Sequence, residues 1–300
     1  MPDPRRPRVV GFGDNVVDRF TERGFFYPGG NCVNFAVFAR RLGAESAYLG
    51  VLGTDDAAAH LRTCLTELGV STRRCRVHDG VTGWCDVVVR DGDRVFGDWD
   101  GGVLLEQPFR PDAADLEYLA GFDLVHVSTY AGLEPVLADV GRAAGLVSFD
   151  FSDEAEQRRE EHLDLVAPHV DLAVFSVADL DWGAAHAFAE RVHDRGPGLV
   201  LLTRGLEGSA VHDGRTFHTA PAVPVSAHDT MGAGDAFITA FTLHLLENGW
   251  RRGATPSGDV LAAALGRGAR FAADQCQVDG AFGHAKEILQ WRTTTAPPPR

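Results

Sequence analysis

Short apolar runs rich in β-branched residues recur along this chain between stretches of helical periodicity, and that rhythm restricts the folds open to it. Runs at 8–11, 47–52, 124–128, 146–151, 172–175 and 199–203 read as strands. The stretches 31–42, 57–68, 133–144, 184–192, 232–248 and 258–275 read as helices. A strand that returns to its sheet through a helix runs parallel to its predecessor, and strands covered on both faces carry continuous rather than alternating apolar sequence. The pattern predicts an α/β fold, a doubly wound, mostly parallel sheet with helices on both faces. With 300 residues, 45% of them hydrophobic, the chain supports one large domain, read as residues 1–292. The end TTTAPPPR, 293–300, reads as a disordered tail.

One segment departs from the rhythm. Residues 81–102, VTGWCDVVVRDGDRVFGDWDGG, place Asp91-Gly92 between two alternating runs, the pattern of a β-hairpin. A hairpin inserted in an α/β domain suits a small β lid, to which 20–28 contributes a second piece. Trp84, Phe96 and Trp99 read as exposed aromatic faces that need cover. A ligand under the lid supplies it, as does a second copy of the chain in a homodimer formed through the lid.

Charge narrows the partners. Twenty-eight basic residues against 42 acidic ones leave a formal charge of −14, which opposes non-specific attraction to nucleic acid or an anionic membrane. Any phosphate must therefore be held locally. The five cysteines include no CxxC pair, so they read as reduced thiols. The opening MPDPRRPRVV lacks the apolar run of a signal peptide, no stretch is long and apolar enough to span a bilayer, and the reading is cytoplasmic.

Three glycine-containing segments carry the chemistry. Gly11-Phe12-Gly13 looks like the start of a dinucleotide fingerprint, but Val16 stands where a third small residue is needed and Asp14 stands where pyrophosphate would approach. Asp14, Asn15 and Asp18 instead offer polar groups just past a strand end, where open α/β sheets bind ligands, and they suit sugar hydroxyls. Gly29-Gly30-Asn31, with Asn34, precedes a helix. Paired glycines permit close backbone approach, and of the two asparagines one reads as a helix cap and the other as a polyol ligand. The most informative segment is Asp229-Thr230-Met231-Gly232-Ala233-Gly234-Asp235 at the start of an apolar helix. Its small residues let N–H groups at a helix start converge on an anion. An acid beside that anion, Asp235, makes sense as the base that deprotonates an alcohol attacking a phosphate, whereas an ordinary Gly-rich turn would need it only for the helix dipole.

Gly29-Gly30-Asn31, Asn34, Ala36 and Leu42-Gly43 resemble the first motif of the PfkB, or ribokinase-like, carbohydrate kinases, and Asp229 to Asp235 matches their second. The resemblance spans roughly residues 8 to 285. It implies an ATP-dependent kinase acting on a primary hydroxyl of a small-molecule sugar, with Asp235 as catalytic base and Gly232, Ala233 and Gly234 as the anion hole. It further implies sugar contacts from Asp18, Gly29, Gly30 and Asn34, with Asp14 and Asn15 as additional candidates. Thr203, Gly205 and Gly208 fall in the nucleotide loop, with Gly234 also at the nucleotide, and Gln275 to Gly283 shapes an adenine pocket. Magnesium (Mg2+) accompanies the nucleotide, and many members use a monovalent cation (K+) near the second motif. GDNVVD at 13–18, DRVFGDWDGGV at 93–103, FDLVHVSTY at 122–130 and FDFSD at 149–153 resemble the branch that phosphorylates the 6-hydroxyl of fructosamines. A fructose, ribose or nucleoside kinase would keep both main motifs, and a non-catalytic sugar sensor would have no use for Asp235. One departure stands out: Ser176 and Asp179 replace the family's Asn-x-x-Glu, which helps organise magnesium. Asp179 is the metal candidate and reads equally as a cap on the helix after Leu180.

Overall fold

The computed structural model describes residues 6–90 and 93–288. The first half of the chain runs β1 (Arg8–Phe12), β2 (Val16–Phe20), β3 (Phe25–Gly29), α1 (Asn31–Arg41), β4 (Glu45–Leu49), β5 (Val51–Leu52), α2 (Asp56–Glu67) and β6 (Arg76–Val77). It continues with β7 (Thr82–Arg90), β8 (Asp93–Gly101), α3 (Gly102–Glu106), α4 (Ala113–Leu119), β9 (Leu124–Ser128), α5 (Leu137–Ala143) and β10 (Val147–Asp150). Then follow α6 (Glu160–Val166), β11 (Leu172–Ser176), α7 (Trp182–His193), β12 (Leu199–Thr203), β13 (Ser209–His212), β14 (Phe217–Ala220), α8 (Ala233–Glu247), α9 (Gly258–Gln275) and β15 (Lys286–Glu287).

Eight strands form the main sheet in the order β14-β13-β12-β11-β10-β9-β1-β4. All neighbours are parallel except β12 with β13 and β13 with β14. Alternate residues of the same strands feed two separate cores. Val10, Phe12, Val125, Val127, Phe149, Phe175 and Leu202 pack with Leu119, Leu137, Leu163 and Phe188 of α4, α5, α6 and α7. Val9, Leu124, Leu172, Val174 and Leu201 pack with Phe35, Phe241 and Leu265 of α1, α8 and α9. Burial on both faces explains the continuous apolar strands and bears out the doubly wound reading. The helix expected at 133–144 is a 3-10 turn over Glu134–Val136 followed by the shorter α5.

A second sheet, in the order β15-β3-β2-β7-β8, stands apart from the first. The hairpin expected over 81–102 is present as β7 and β8, antiparallel from Trp84↔Asp100 outward, and its Asp91-Gly92 turn lies outside the described residues, as does the 293–300 tail. The hairpin neither stands alone nor extends the main sheet. It pairs in parallel through β7 with β2, and β2 pairs with β3, so 16–29 belongs to the same unit. In sequence the buried Asp18 interrupts the apolar run of β2, which hides the strand. Phe96 and Trp99 are exposed, but Trp84 is not: it packs toward Val17, Phe26 and Ala57 under the Arg19 guanidinium, 3.4 Å from its ring. Among the described residues no helix is long and apolar enough to cross a membrane.

Candidate active site

Parallel register gathers the carboxyl ends of the central strands along one edge of the main sheet, the usual ligand-binding edge of an open α/β fold. Ser128 at the end of β9 lies opposite Asp150 at the end of β10, and Ser176 of β11 opposite Thr203 of β12. Asp14 follows β1 on the same edge. The N-termini of α1 and α8 both meet this edge and add Asn31, Asn34 and Asp235 to its polar groups.

Helix α8 opens in an unusual way. Its N-cap is Gly232 at φ 73°, a left-handed backbone that strains any residue with a Cβ, and no side chain caps the first-turn amides. A Cβ at Gly232 would also lie 2.9 Å from that of Ala281, whereas at Gly234 it would meet nothing within 4 Å. Among the described residues no side-chain oxygen occupies the first-turn amides, which leaves this helix start able to receive an anion. Asp229 holds the loop in place: its Oδ1 accepts from the Met231 N–H at 2.8 Å and its Oδ2 from the Gly280 N–H at 2.7 Å. The same contact ties Gln275 to Gly283 to the anion loop, where the Gln275 side chain also donates to the Ala281 carbonyl.

Asp235 is buried and its Oδ2 accepts from Asn34 Nδ2 at 2.7 Å. Burial, reinforced by the charges of Asp150, Asp14 and Asp18, raises its pKa well above the usual carboxylate range. The carboxylate is thus made strongly basic, as proton abstraction from an alcohol requires. Among the described residues the buried Asn34 Oδ1 has no hydrogen-bond partner, which leaves it a free acceptor. A Cβ on Gly29 would fall 3.1 Å from Asp18 Oδ2 and 3.7 Å from Asn34 Oδ1, so Gly29, Asp18, Asn34 and Asp235 form one group. Gly30 stands beside it at φ 106°, where a Cβ would come within 2.8 Å of the Asn15 backbone.

The remaining expected sugar ligands take other duties. Asp14 accepts from the Asn31 N–H at 2.6 Å, the Cys32 N–H at 3.2 Å and Ser128 Oγ at 2.7 Å, and so caps α1 from the turn between β1 and β2. Neither asparagine is the cap, contrary to expectation, because Asp14 reaches those amides first: Asn31 Nδ2 donates to Asp150 and Asn34 Nδ2 to Asp235. The Asn15 Nδ2 donates to Tyr48 Oη and the Val51 carbonyl, both at 2.7 Å.

Asp150 is a site residue that sequence reasoning passed over, although an acid closing the strand run at FDFSD was a usable signal. It accepts from Asn31 Nδ2 and the Ser152 N–H, each at 2.9 Å, and burial lifts its pKa to about 6. The folded protein keeps this proton up to about pH 6, while the unfolded chain releases it near 3.8, so stability falls as pH rises through that window. Asp150→Asn carries no such proton. Its Tm should gain on the parent between about pH 4 and pH 6 and hold that gain above; a pH-independent difference in thermal melts would refute this.

On the nucleotide side, Thr203 Oγ1 lies 3.0 Å from Ser176 Oγ, and a Cβ at Gly205 would have open space around it. At Gly208 a Cβ would run into the Ala220 carbonyl, so the loop crosses β14 at close range. Asp179 lies apart from Asp235 and its group. Both its oxygens accept from Arg158, at 2.9 and 2.8 Å, and this pairing lowers its pKa. It does not cap the following helix either; Asp181 does, accepting from the Ala184 N–H at 2.8 Å. Among the described residues no three His, Cys, Asp or Glu side chains converge as an all-protein metal cage.

A basic carboxylate beside an uncapped helix start, at the ligand edge of a doubly wound sheet, defines a kinase that acts on an alcohol. Residues 10–285 match the family model described as pfkB family carbohydrate kinase, and the chain belongs to that family. It is 36% identical over 281 residues to "Fructosamine kinase FrlD" of Bacillus subtilis (strain 168), covering 92% of this chain and 93% of the relative. It is 34% identical over 270 residues to "Fructoselysine 6-kinase" of Escherichia coli (strain K12), covering 90% and 97%. Ribokinase from Arabidopsis thaliana, solved with ribose and ATP, superposes with a TM-score of 0.72 at 19% identity over 88% of this chain and 92% of that one, and the fold is ribokinase-like.

Proposed function

We propose that this kinase transfers the terminal phosphoryl group of ATP to the 6-hydroxyl of a fructosamine, with fructoselysine as the representative acceptor. The observation that carries the reading is the Asp235–Asn34 pair beneath the open helix start. The relatives described above support the acceptor class. The sugar lies against Gly29, Gly30, Asp18 and Asn34, with Asn34 Oδ1 accepting from one of its hydroxyls. The 6-hydroxyl then faces Asp235, which takes its proton as the oxygen attacks.

Phosphoryl transfer passes through a loose transition state, so alignment and charge neutralisation account for most of the rate. The amides from Gly232 to Asp235 face the oxygens of the group in transit and neutralise charge as it builds there. Thr203, Gly205 and Gly208 line the donor side. Magnesium bound with the nucleotide would supply further neutralisation of phosphate charge. The second sheet covers the acceptor and limits water as a competing nucleophile. Phe96 and Val95, exposed on its edge strand, are the surface through which two copies would pair.

The test is ADP release with fructoselysine, fructose, ribose and adenosine in parallel, with the product's phosphate position read by NMR. Fructoselysine should give the highest kcat/KM and a 6-phosphate. Preference for ribose or adenosine would overturn the acceptor class, and no turnover with any of them would overturn the kinase reading of the site. Repeating the assay with EDTA, and with choline replacing K+, tests the two ions.

A further inference from the structure

The second sheet has two unlike faces. In-register residues on neighbouring strands point to the same side. Val17, Trp84 and Asp100 are one such row, and it faces the packed side, where Val17 and Trp84 meet Phe26 and Ala57. Tyr27, Asp18, Cys85 and Trp99 form the next row, on the opposite side. That side looks onto the active site: a Cβ on Gly280 would touch the Tyr27 ring at 2.6 Å, and Gly280 is the residue that Asp229 ties to the anion loop. Trp99 thus belongs to the row that holds Asp18, on the edge strand, and is 59% exposed.

The position of Trp99 matches the shape of the proposed acceptor. The 6-hydroxyl end of the ketose sits at Asp235, and Asn34 lies between Asp235 and Asp18, so the carbon-one end leaves on the Asp18 side, under β7 and β8. Two strand spacings separate Asp18 from Trp99, about 10 Å, a span that a sugar carbon plus an extended four-carbon amine covers. An indole face suits such a substituent, because methylenes pack on it and an ammonium is drawn to its π-cloud.

We infer that Trp99 is a specificity-determining residue that contacts the amino-acid substituent on carbon one of the acceptor. This rests on the fructosamine reading of the same site. The test compares parent, Trp99→Ala and Trp99→Phe with fructoselysine, the glycine adduct of fructose, and fructose itself, alongside sedimentation analysis of each protein. In Trp99→Ala the KM for fructoselysine should rise about tenfold with kcat little changed, the loss should shrink with the shorter adduct, and Trp99→Phe should recover part of it. The preference for fructoselysine over fructose falls by the same factor. An unchanged preference in Trp99→Ala, or an equal loss on all three acceptors together with a change of oligomeric state, would overturn the assignment. If the parent shows no preference for fructoselysine, it is the fructosamine reading that fails.

Discussion

Asp235→Asn lowers kcat by about two to four orders of magnitude while the protein stays folded, the loss expected when a positioned base is removed. The two side chains have nearly the same shape, so the first turn of α8 and the anion loop stay in place. What disappears is, among the described residues, the carboxylate that stands both at the uncapped helix start and against Asn34. Stability should be unchanged or improved, since Asp235 is a buried acid among the like charges of Asp150, Asp14 and Asp18. The pH dependence carries a second signature. Asp235 must be ionised to accept a proton, and burial raises its pKa, so the acid limb of kcat/KM for the parent lies above the ordinary carboxylate range. That limb is absent from the residual activity of Asp235→Asn. Turnover within threefold of the parent would remove Asp235 from the base role.

Gly11→Ala costs about 3 kcal/mol or more of stability, a fall in Tm of roughly 5–10 °C, although Gly11 touches no substrate. Strand β1 packs so closely on the start of α1 that a Cβ at Gly11 would overlap the carbonyl oxygen of Cys32. Overpacking is usually relieved by a change of rotamer, but here the obstacle is backbone. That backbone is itself fixed: Asp14 accepts from the Asn31 and Cys32 amides, and Cys32 Sγ donates to the Phe12 carbonyl at 3.2 Å. Relief therefore requires α1 to move away from the sheet and take Asn31 and Asn34 with it. Thermal and denaturant melts check the prediction, and a variant as stable as the parent would show that α1 yields more easily than this geometry allows.

Much of the architecture was legible because parallel strands covered on both faces need continuous apolar sequence, and each of the six main-sheet runs has it. The anion loop was legible for a similar reason: only small residues tolerate its backbone, and an acid next to it has few uses. The second sheet was only half visible. Its hairpin announces itself by alternation, but β2 buries an acid, Asp18, so Val16–Phe20 resembles a loop. Misassigned duties have one physical cause, that local sequence does not say which partner reaches a group first. An asparagine was a plausible helix cap until Asp14 reached the amides from the turn between β1 and β2, and nothing local announces that Tyr48 and Val51 take up the Asn15 Nδ2. Asp150 escaped notice because its donors come from Asn31, far away in sequence, and from a turn at Ser152 with a left-handed backbone, φ 62°.

Strand β2 is bonded to β3 and β7 of the smaller sheet, yet it carries Asp18, while Asp235 stands on a helix packed against the larger one. In the proposed binding mode one acceptor would bridge these two carboxylates, and so would link the smaller sheet to the larger one.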